Sequence, residues 1–515
     1  MRHVPIFYIL CLFYEPSSSV PQRATSQWMR QVAYFCDCAQ AAGEQIPKRP
    51  ASLSLHSFPS FHIAMAGRVV RSSKFRHVFG QPFKKENCYD ELKVTRTAWD
   101  SNYVAANPLF FAVLWEAGGG GSFAVYPWSA PAGKIDPKLP LVAGHKSAVL
   151  DIDFHPFNDN LIASVSEDCT AKIWHIPSTG LTSTLTEPVQ TLNGHKRKVG
   201  TVKFNPIADN LVATSSGDFS VKIWDIEKGQ AKLSVDGQHS DLILSVDWNF
   251  NGSLLATSSK DKKVRLVDPR SNLVAQEAEA HLGIKPSRLV WLGQKEKLFT
   301  CGSTKTSERE YCLWDPRDFS KPLSRTSVDS ASGVLMPFYD NDTSVLFLGG
   351  KGDGNIRYFE VTDEAPYIFP LSEFKSNNPQ RGLALMPKRT VNVSECEIVR
   401  ILKLGVKTLE PISFLVPRKS DIFQDDLYPD APSGEPSLTG DEWLSGKNAN
   451  PKTASMQGGF VQKERAAPVF DKQEETKPKS EKELQAEIEQ LTKRVAYLES
   501  ELVKKDSKIK ELGGN

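Results

Sequence analysis

The feature that most constrains this chain is an internal repeat. Gly144-His145 is followed by Ile173-Trp174-His175, and Gly194-His195 by Ile223-Trp224-Asp225. Related endings occur at Ala124-Val125-Tyr126-Pro127, Val264-Arg265-Leu266-Val267-Asp268, Leu313-Trp314-Asp315 and Ile356-Arg357-Tyr358-Phe359-Glu360. Their aromatic or equivalent positions are Tyr126, Trp174, Trp224, Val267, Trp314 and Phe359, spaced 48, 50, 43, 47 and 45 residues apart. A period of roughly 40–50 residues marks the blade of a β-propeller. One such four-stranded sheet cannot hide its apolar faces, so neighbours must stack around a ring. Strand patterns inside each unit agree. Val149–Phe154, Val199–Phe204 and Ile243–Trp248 alternate as half-buried strands. Small-residue runs such as Ile162-Ala163-Ser164 and Val212-Ala213-Thr214 suit the narrow inner part of a blade.

The predicted fold class is therefore all-β: a seven-bladed WD-repeat β-propeller, followed by a linker and a C-terminal α-helical coiled coil. Residues 397–404 and 411–417 read as strands of a seventh blade. Residues 73–79 read as a lone strand that pairs with them, closing the ring and removing two free edges. The expected organisation is an extension over 1–64, the propeller over 65–419, a docking segment over 420–445, a flexible linker over 446–480 and a coiled coil over 481–512. An apolar run from Val4 to Tyr14 mimics a secretory signal but is too short to span a bilayer. Met65 opens a basic segment leading into the repeats. It reads as the functional start, with 1–64 disordered or a gene-model artefact.

Composition excludes little by itself. A net charge of +2 over 515 residues gives no whole-chain attraction to nucleic acid or membrane. Neither a nucleic-acid partner nor integral membrane association is expected. The eight cysteines contain no C-x-x-C pair and read as free thiols in a reducing compartment. His145, His195 and His239 recur with Asp168, Asp218 and Asp261, and with Trp174, Trp224 and Trp314. The repeat predicts that in each such blade a His, a Ser/Thr, a Trp and a turn Asp form one buried hydrogen-bonded set. Such recurrence suits a scaffold rather than an active site. The chain carries no nucleophile elbow, P-loop or H-E-x-x-H. No enzyme activity, cofactor or metal is expected.

Longer matches lie outside the generic repeat. The segments 73–82 (SKFRHVFGQP), 351–359 (KGDGNIRYF), 379–382 (PQRG), 417–421 (PRKSD) and 423–430 (FQDDLYPD) resemble signatures of the coronins, the actin-binding WD-repeat proteins. The resemblance runs continuously over about residues 67–447. It implies a propeller, a segment packed beneath it, a variable linker and a terminal coiled coil. It also implies filamentous actin as the partner, a place in the cortical actin cytoskeleton of the cytoplasm, and contact with the actin-related-protein nucleation complex. An acidic filament would be met by local basic charge. Arg68, Arg71, Lys74, Arg76, Lys84, Lys85 and Lys93 supply it near the N-terminal strand. The family's filament-facing cation follows a Cys-Tyr pair, here Cys88-Tyr89, which places it at Lys93. Animal members carry Arg there; Lys keeps the charge but loses the bidentate fork. The alternative reading is a generic WD-repeat adaptor for other proteins, such as vesicle-traffic components.

From Leu484 the apolar spacing becomes 4, 3, 4, 3. Ile488, Val495, Leu502 and Ile509 take the a positions, and Leu484, Leu491, Leu498, Lys505 and Leu512 the d positions. β-Branched a residues with Leu at d favour a parallel dimer. Against that, Arg494-Val495-Ala496-Tyr497-Leu498-Glu499 resembles the trimer-specifying pattern of coronin coiled coils, with Arg494 and Glu499 placed to pair between chains. A homotrimer is the favoured expectation.

Overall fold

The computed structural model describes residues 71–419, 422–458, 470 and a set of helical positions between 485 and 505. The N-terminal extension and Arg68 lie outside the described residues, as do Leu484, Ile488, Leu491, Leu502, Ile509 and Leu512.

Seven sheets form the ring, and first strands of neighbouring sheets pack side by side around the axis. Blade 1 runs Val104–Ala106, Phe110–Leu114, Ser122–Pro127, Leu141–Ala143. Blade 2 runs Val149–Phe154, Leu161–Ser166, Thr170–His175, Gln190–Asn193, and blade 3 runs Val199–Phe204, Leu211–Ser216, Val221–Asp225, Gln230–Val235. Blade 4 spans Ile243 to Glu279, blade 5 Arg288 to Asp329 and blade 6 Leu335 to Lys375. Blade 7 is made of Gly382–Leu385, Glu397–Leu404 and Leu409–Leu415, with Phe79–Pro82 from the N-terminal side as its outer strand. The second strands are buried along their whole length in blades 1 to 6. That is why small residues crowd there in blades 2 to 4. Antiparallel order puts the turns between second and third strands on one face, called upper here. The turns between first and second strands lie on the lower face.

Innermost strands leave unpaired N–H groups toward the axis, a free edge that needs partners. Carboxylates of the preceding blade supply them. Asp151 accepts from Val202 N at 3.2 Å and Asp153 from Phe204 N at 3.1 Å. Asp247 accepts from Trp291 N at 2.9 Å. The polar alternation of these strands thus staples blade to blade.

Ring closure uses a different stretch from the one predicted. The strand begins at Phe79, with Phe79 opposite Leu415 and Pro82 opposite Ile412. Residues 74–77 form a turn instead: Phe75 N donates to Ser73 Oγ at 3.1 Å and Val78 N to Phe75 O at 3.1 Å. Phe75 and Val78 are both buried in the same cluster. A strand would send side chains three apart to opposite faces, whereas a turn sends them to one.

Beyond the ring, the chain crosses the lower face. Tyr428 donates its hydroxyl to Glu397 O at 2.9 Å, beneath blade 7. Asp209 N donates to Leu438 O at 3.0 Å, beneath blade 3. A short helix, Gly440–Leu444, follows under a capping box of Thr439 and Glu442. Its Trp443 is 0% exposed. The docked chain passes the expected boundary at 445. Thr453–Ala454 pairs back onto Ala431–Pro432, and Met456 is buried. The physical reason is that strand pairing gives the return segment backbone partners that a tether lacks. Among the described residues no helix is long and apolar enough to cross a membrane.

Candidate functional site

The chain after the closing strand forms a strap across the upper face. Leu92 N donates to Lys407 O of blade 7 at 3.0 Å. Lys93 O then accepts from Glu116 N at 2.7 Å, and Thr95 N donates to Leu114 O at 3.0 Å, both in blade 1. Trp99 continues to blade 3, where its Nε1 donates to Gly200 O at 2.8 Å. A Cβ at Gly200 would lie 2.3 Å from the Trp99 ring, so glycine permits this approach. Asp100 is held by Lys351 of blade 6 at 2.9 Å, and its carbonyl accepts from Arg288 of blade 5. Lys93 therefore sits on backbone fixed from both sides. Its side chain is exposed and has no ion pair among the described residues, whereas nearby Arg96 is paired with Glu116 at 3.1 Å.

The other expected cations do not gather around Lys93. Lys74 and Arg76 lie beyond the lower end of the closing strand, where Lys74 donates to Asp426 O. Lys84 and Lys85 are exposed on the outer edge of blade 7. Arg71 stands at the edge of the described residues. The strand Leu409–Leu415 separates the two ends by roughly 20 Å at about 3.3 Å per residue. Neighbours in sequence are thus spread from the lower face to the upper.

The recurrent His sets are structural in geometry. His145 Nδ1 lies 2.9 Å from Asp168 and Nε2 lies 2.7 Å from Ser164, which also accepts from Trp174 Nε1 at 2.8 Å. His195, Asp218, Thr214 and Trp224 repeat the arrangement. Burial alone would raise the Asp168 and Asp218 carboxyls, but bonds from the His and its neighbours hold both well below the usual range. In blade 4 the set is broken. Arg265 binds Asp261 at 2.7 Å, and Val267 replaces the Trp. His239 keeps Thr257 at 2.8 Å, but its Nδ1 has no hydrogen-bond partner among the described residues. Burial, then the Arg265 charge, pushes that imidazole down to about 4.

A further set went unread in the sequence. His281 contacts Glu310 at 2.9 Å and Thr300 at 3.0 Å, with Trp314 Nε1 2.9 Å from Thr300. The His follows Ala rather than Gly, and the acid is a Glu four residues before the Trp rather than an Asp six before it. Cys312 stands within 4.8 Å of this pair, a trio of metal-ligating types. Both ring nitrogens of His281 are already engaged, and burial pushes the Cys312 thiol up to about 12. His281 and Glu310 serve the same hydrogen-bonded purpose as the other sets, with Thr300 and Trp314.

The axis holds a cavity of about 480 Å³, with Asp100–Asn102 among its lining residues on the strap side and Pro432 and Gly434 on the side of the docked segment. Asp151, Asp153, Asp247, Lys203 and Arg288 line its wall. Burial pushes the Asp151 carboxyl up to about 6 and raises Asp153 and Asp247. The Asp153 charge in turn raises Lys203. These groups are occupied as blade staples and as each other's counter-ions.

Comparison with known proteins agrees with this architecture. Models described as "WD domain, G-beta repeat" match residues 138–175, 186–225 and 230–268, and a "Type of WD40 repeat" matches 409–451. A "Domain of unknown function (DUF1899)" matches 68–134, the stretch holding the closing strand and the strap. Coronin-A of Dictyostelium discoideum is 63% identical over 448 residues, covering 86% of this chain and 99% of that relative. The crystal structure of the WD40 domain of Toxoplasma gondii coronin superposes with a TM-score of 0.69 at 33% identity, covering 74% of this chain and 97% of that one.

Proposed function

The chain belongs to the coronin family of actin-binding WD-repeat proteins, and on that premise we propose that it grips actin filaments through the upper face of its propeller and crosslinks them as an oligomer. One observation carries the reading: Lys93 is an exposed cation without an ion pair among the described residues, on backbone tied to blades 7 and 1. A pre-positioned unpaired charge is what an acidic filament surface can use at least cost in ordering. Arg68, Arg71, Lys74, Arg76, Lys84 and Lys85 add to the long-range field that steers encounter. The protein works as a binding scaffold rather than an enzyme. Its setting is the cortical actin cytoskeleton of the cytoplasm.

Crosslinking needs more than one propeller. Val495 and Leu498 are 54% and 48% exposed on one helix, an apolar stripe that partner helices would cover. We assign the assembly as a homotrimer, with Arg494 and Glu499 pairing between chains. Joining weak sites on one stalk raises apparent affinity by about 10²–10⁴ when geometry lets them engage together. The same stalk is the proposed contact for the actin-related-protein nucleation complex. The test is cosedimentation with purified filaments. Lys93→Glu is expected to weaken binding in high-speed pellets, and Leu498→Asp to abolish low-speed bundling while single propellers still bind. Unchanged binding by Lys93→Glu would discard that contact. Bundling that survives Leu498→Asp would discard the stalk.

A further inference from the structure

The loop entering blade 5 departs from the repeat. From the loop His to the first strand residue is four positions at His145–Val149, His195–Val199 and His239–Ile243, but seven at His281–Arg288. The longer loop carries Ile284, which is 91% exposed. Single apolar residues on a surface are ordinary, but three features set this one apart. The loop is held on both sides of Ile284. Gly283 N donates to Ser303 O at 2.7 Å, and a Cβ there would fall 2.0 Å from Ser303 Oγ. Lys285 Nζ donates to Ser307 O at 2.7 Å and to Ala331 O at 2.8 Å. The side chain is thus presented on fixed backbone, so little ordering is left for a partner to impose.

Two lysines flank the loop, with Glu308 in the same turn as one of them. Ala280 N donates to Lys262 O at 3.0 Å, which places Lys262 at the root of the loop. Lys305 lies in the turn whose Ser307 receives Lys285. Both lysines are exposed and have no ion pair among the described residues. Finally, that turn joins the second and third strands of blade 5, so the loop shares the upper face with Lys93. Lys93 bridges blades 7 and 1, and Ile284 lies between blades 4 and 5, on the far side of the ring.

We propose that Ile284, flanked by Lys262 and Lys305, is a second filament contact: an apolar anchor for a pocket edged by carboxylates on an acidic protein surface. This rests on the reading of the upper face as the filament-binding face. Two contacts on opposite sides of one ring fix its orientation on the filament, which a single lysine cannot do. The full chain titrated against purified actin filaments tests it. Ile284→Ser is expected to weaken binding roughly tenfold, the scale of one lost apolar anchor, with the thermal midpoint unchanged. Ile284→Leu is expected to bind like the wild type. If Ile284→Ser and Ile284→Asp both sediment as the wild type does while Lys93→Glu is weakened, the second contact is refuted and the filament reading stands. A wild-type chain that stays in the supernatant at every filament concentration refutes both.

Discussion

Replacing Trp443 with Ala separates the docked segment from the ring. The side chain is fully buried, meets Trp248 edge-on at 5.7 Å between centroids, lies beneath the Arg270 guanidinium at 5.1 Å and donates to Gly252 O at 2.8 Å. Removing a buried Trp costs about 3–5 kcal/mol. No orphan penalty adds to that, because Gly252 O also accepts from Asn205 Nδ2 at 3.0 Å. Leu438, Leu444 and Ala449 pack against the same cluster and lose their neighbour together. The loss should fall on this local unit, because ring closure is made by Phe79–Pro82 on Leu409–Leu415, not by the segment under blades 3 and 4. Native-state hydrogen exchange reads this directly. The amides of Asp209, Ser437 and Leu438, which carry the docking hydrogen bonds, should exchange about 10²–10³ faster. Amides of the second strands of blades 2 and 3 should keep their protection. Equal loss of protection throughout the propeller would refute the reasoning, since docking and ring would then unfold as one unit. No change at Leu438 would refute it from the other side.

Two further outcomes follow from particular contacts. His239 is neutral in the fold, with its pKa lowered to about 4 from the ordinary 6.5, so the unfolded chain binds the extra proton between these values. Its contribution is complete above pH 6.5 and is lost as pH falls toward 4, about 3 kcal/mol in all. Urea titrations of the wild type and His239→Gln should diverge over that window, and a constant offset would contradict the assignment; a raised Asp151 acts in the opposite direction, but in both proteins alike. Gly200→Ala sets a methyl against the Trp99 ring and should destabilise the strap by about 1–3 kcal/mol. Tryptophan fluorescence should redden and filament affinity should fall without any change of charge; unaltered fluorescence would mean that the strap does not rest on this contact.

The ring was legible because its signals are local. A Trp at the end of a third strand and small residues in a second strand answer to burial within one blade, and each repeats. What escaped depended on neighbours distant in sequence. Asp261 reads like Asp168 and Asp218 until Arg265, four residues on, takes its carboxylate. Glu310 replaces an Asp because a longer side chain reaches His281 from a strand position. Trp99 shows nothing of its destination, since Gly200 lies 101 residues away. The basic segment is the sharpest case. Lys74, Arg76, Lys84, Lys85 and Lys93 look like one patch when counted along the chain, yet between the first and the last the chain climbs the outer edge of blade 7, from Phe79 opposite Leu415 to Tyr89 opposite Leu409. Charges spaced along a strand share a line, not a face. A surface has to be assembled from turns that different blades send to the same side. By that rule Lys93 has more in common with the loops of blades 4 and 5, which share the upper face with it, than with the lysines before it in sequence.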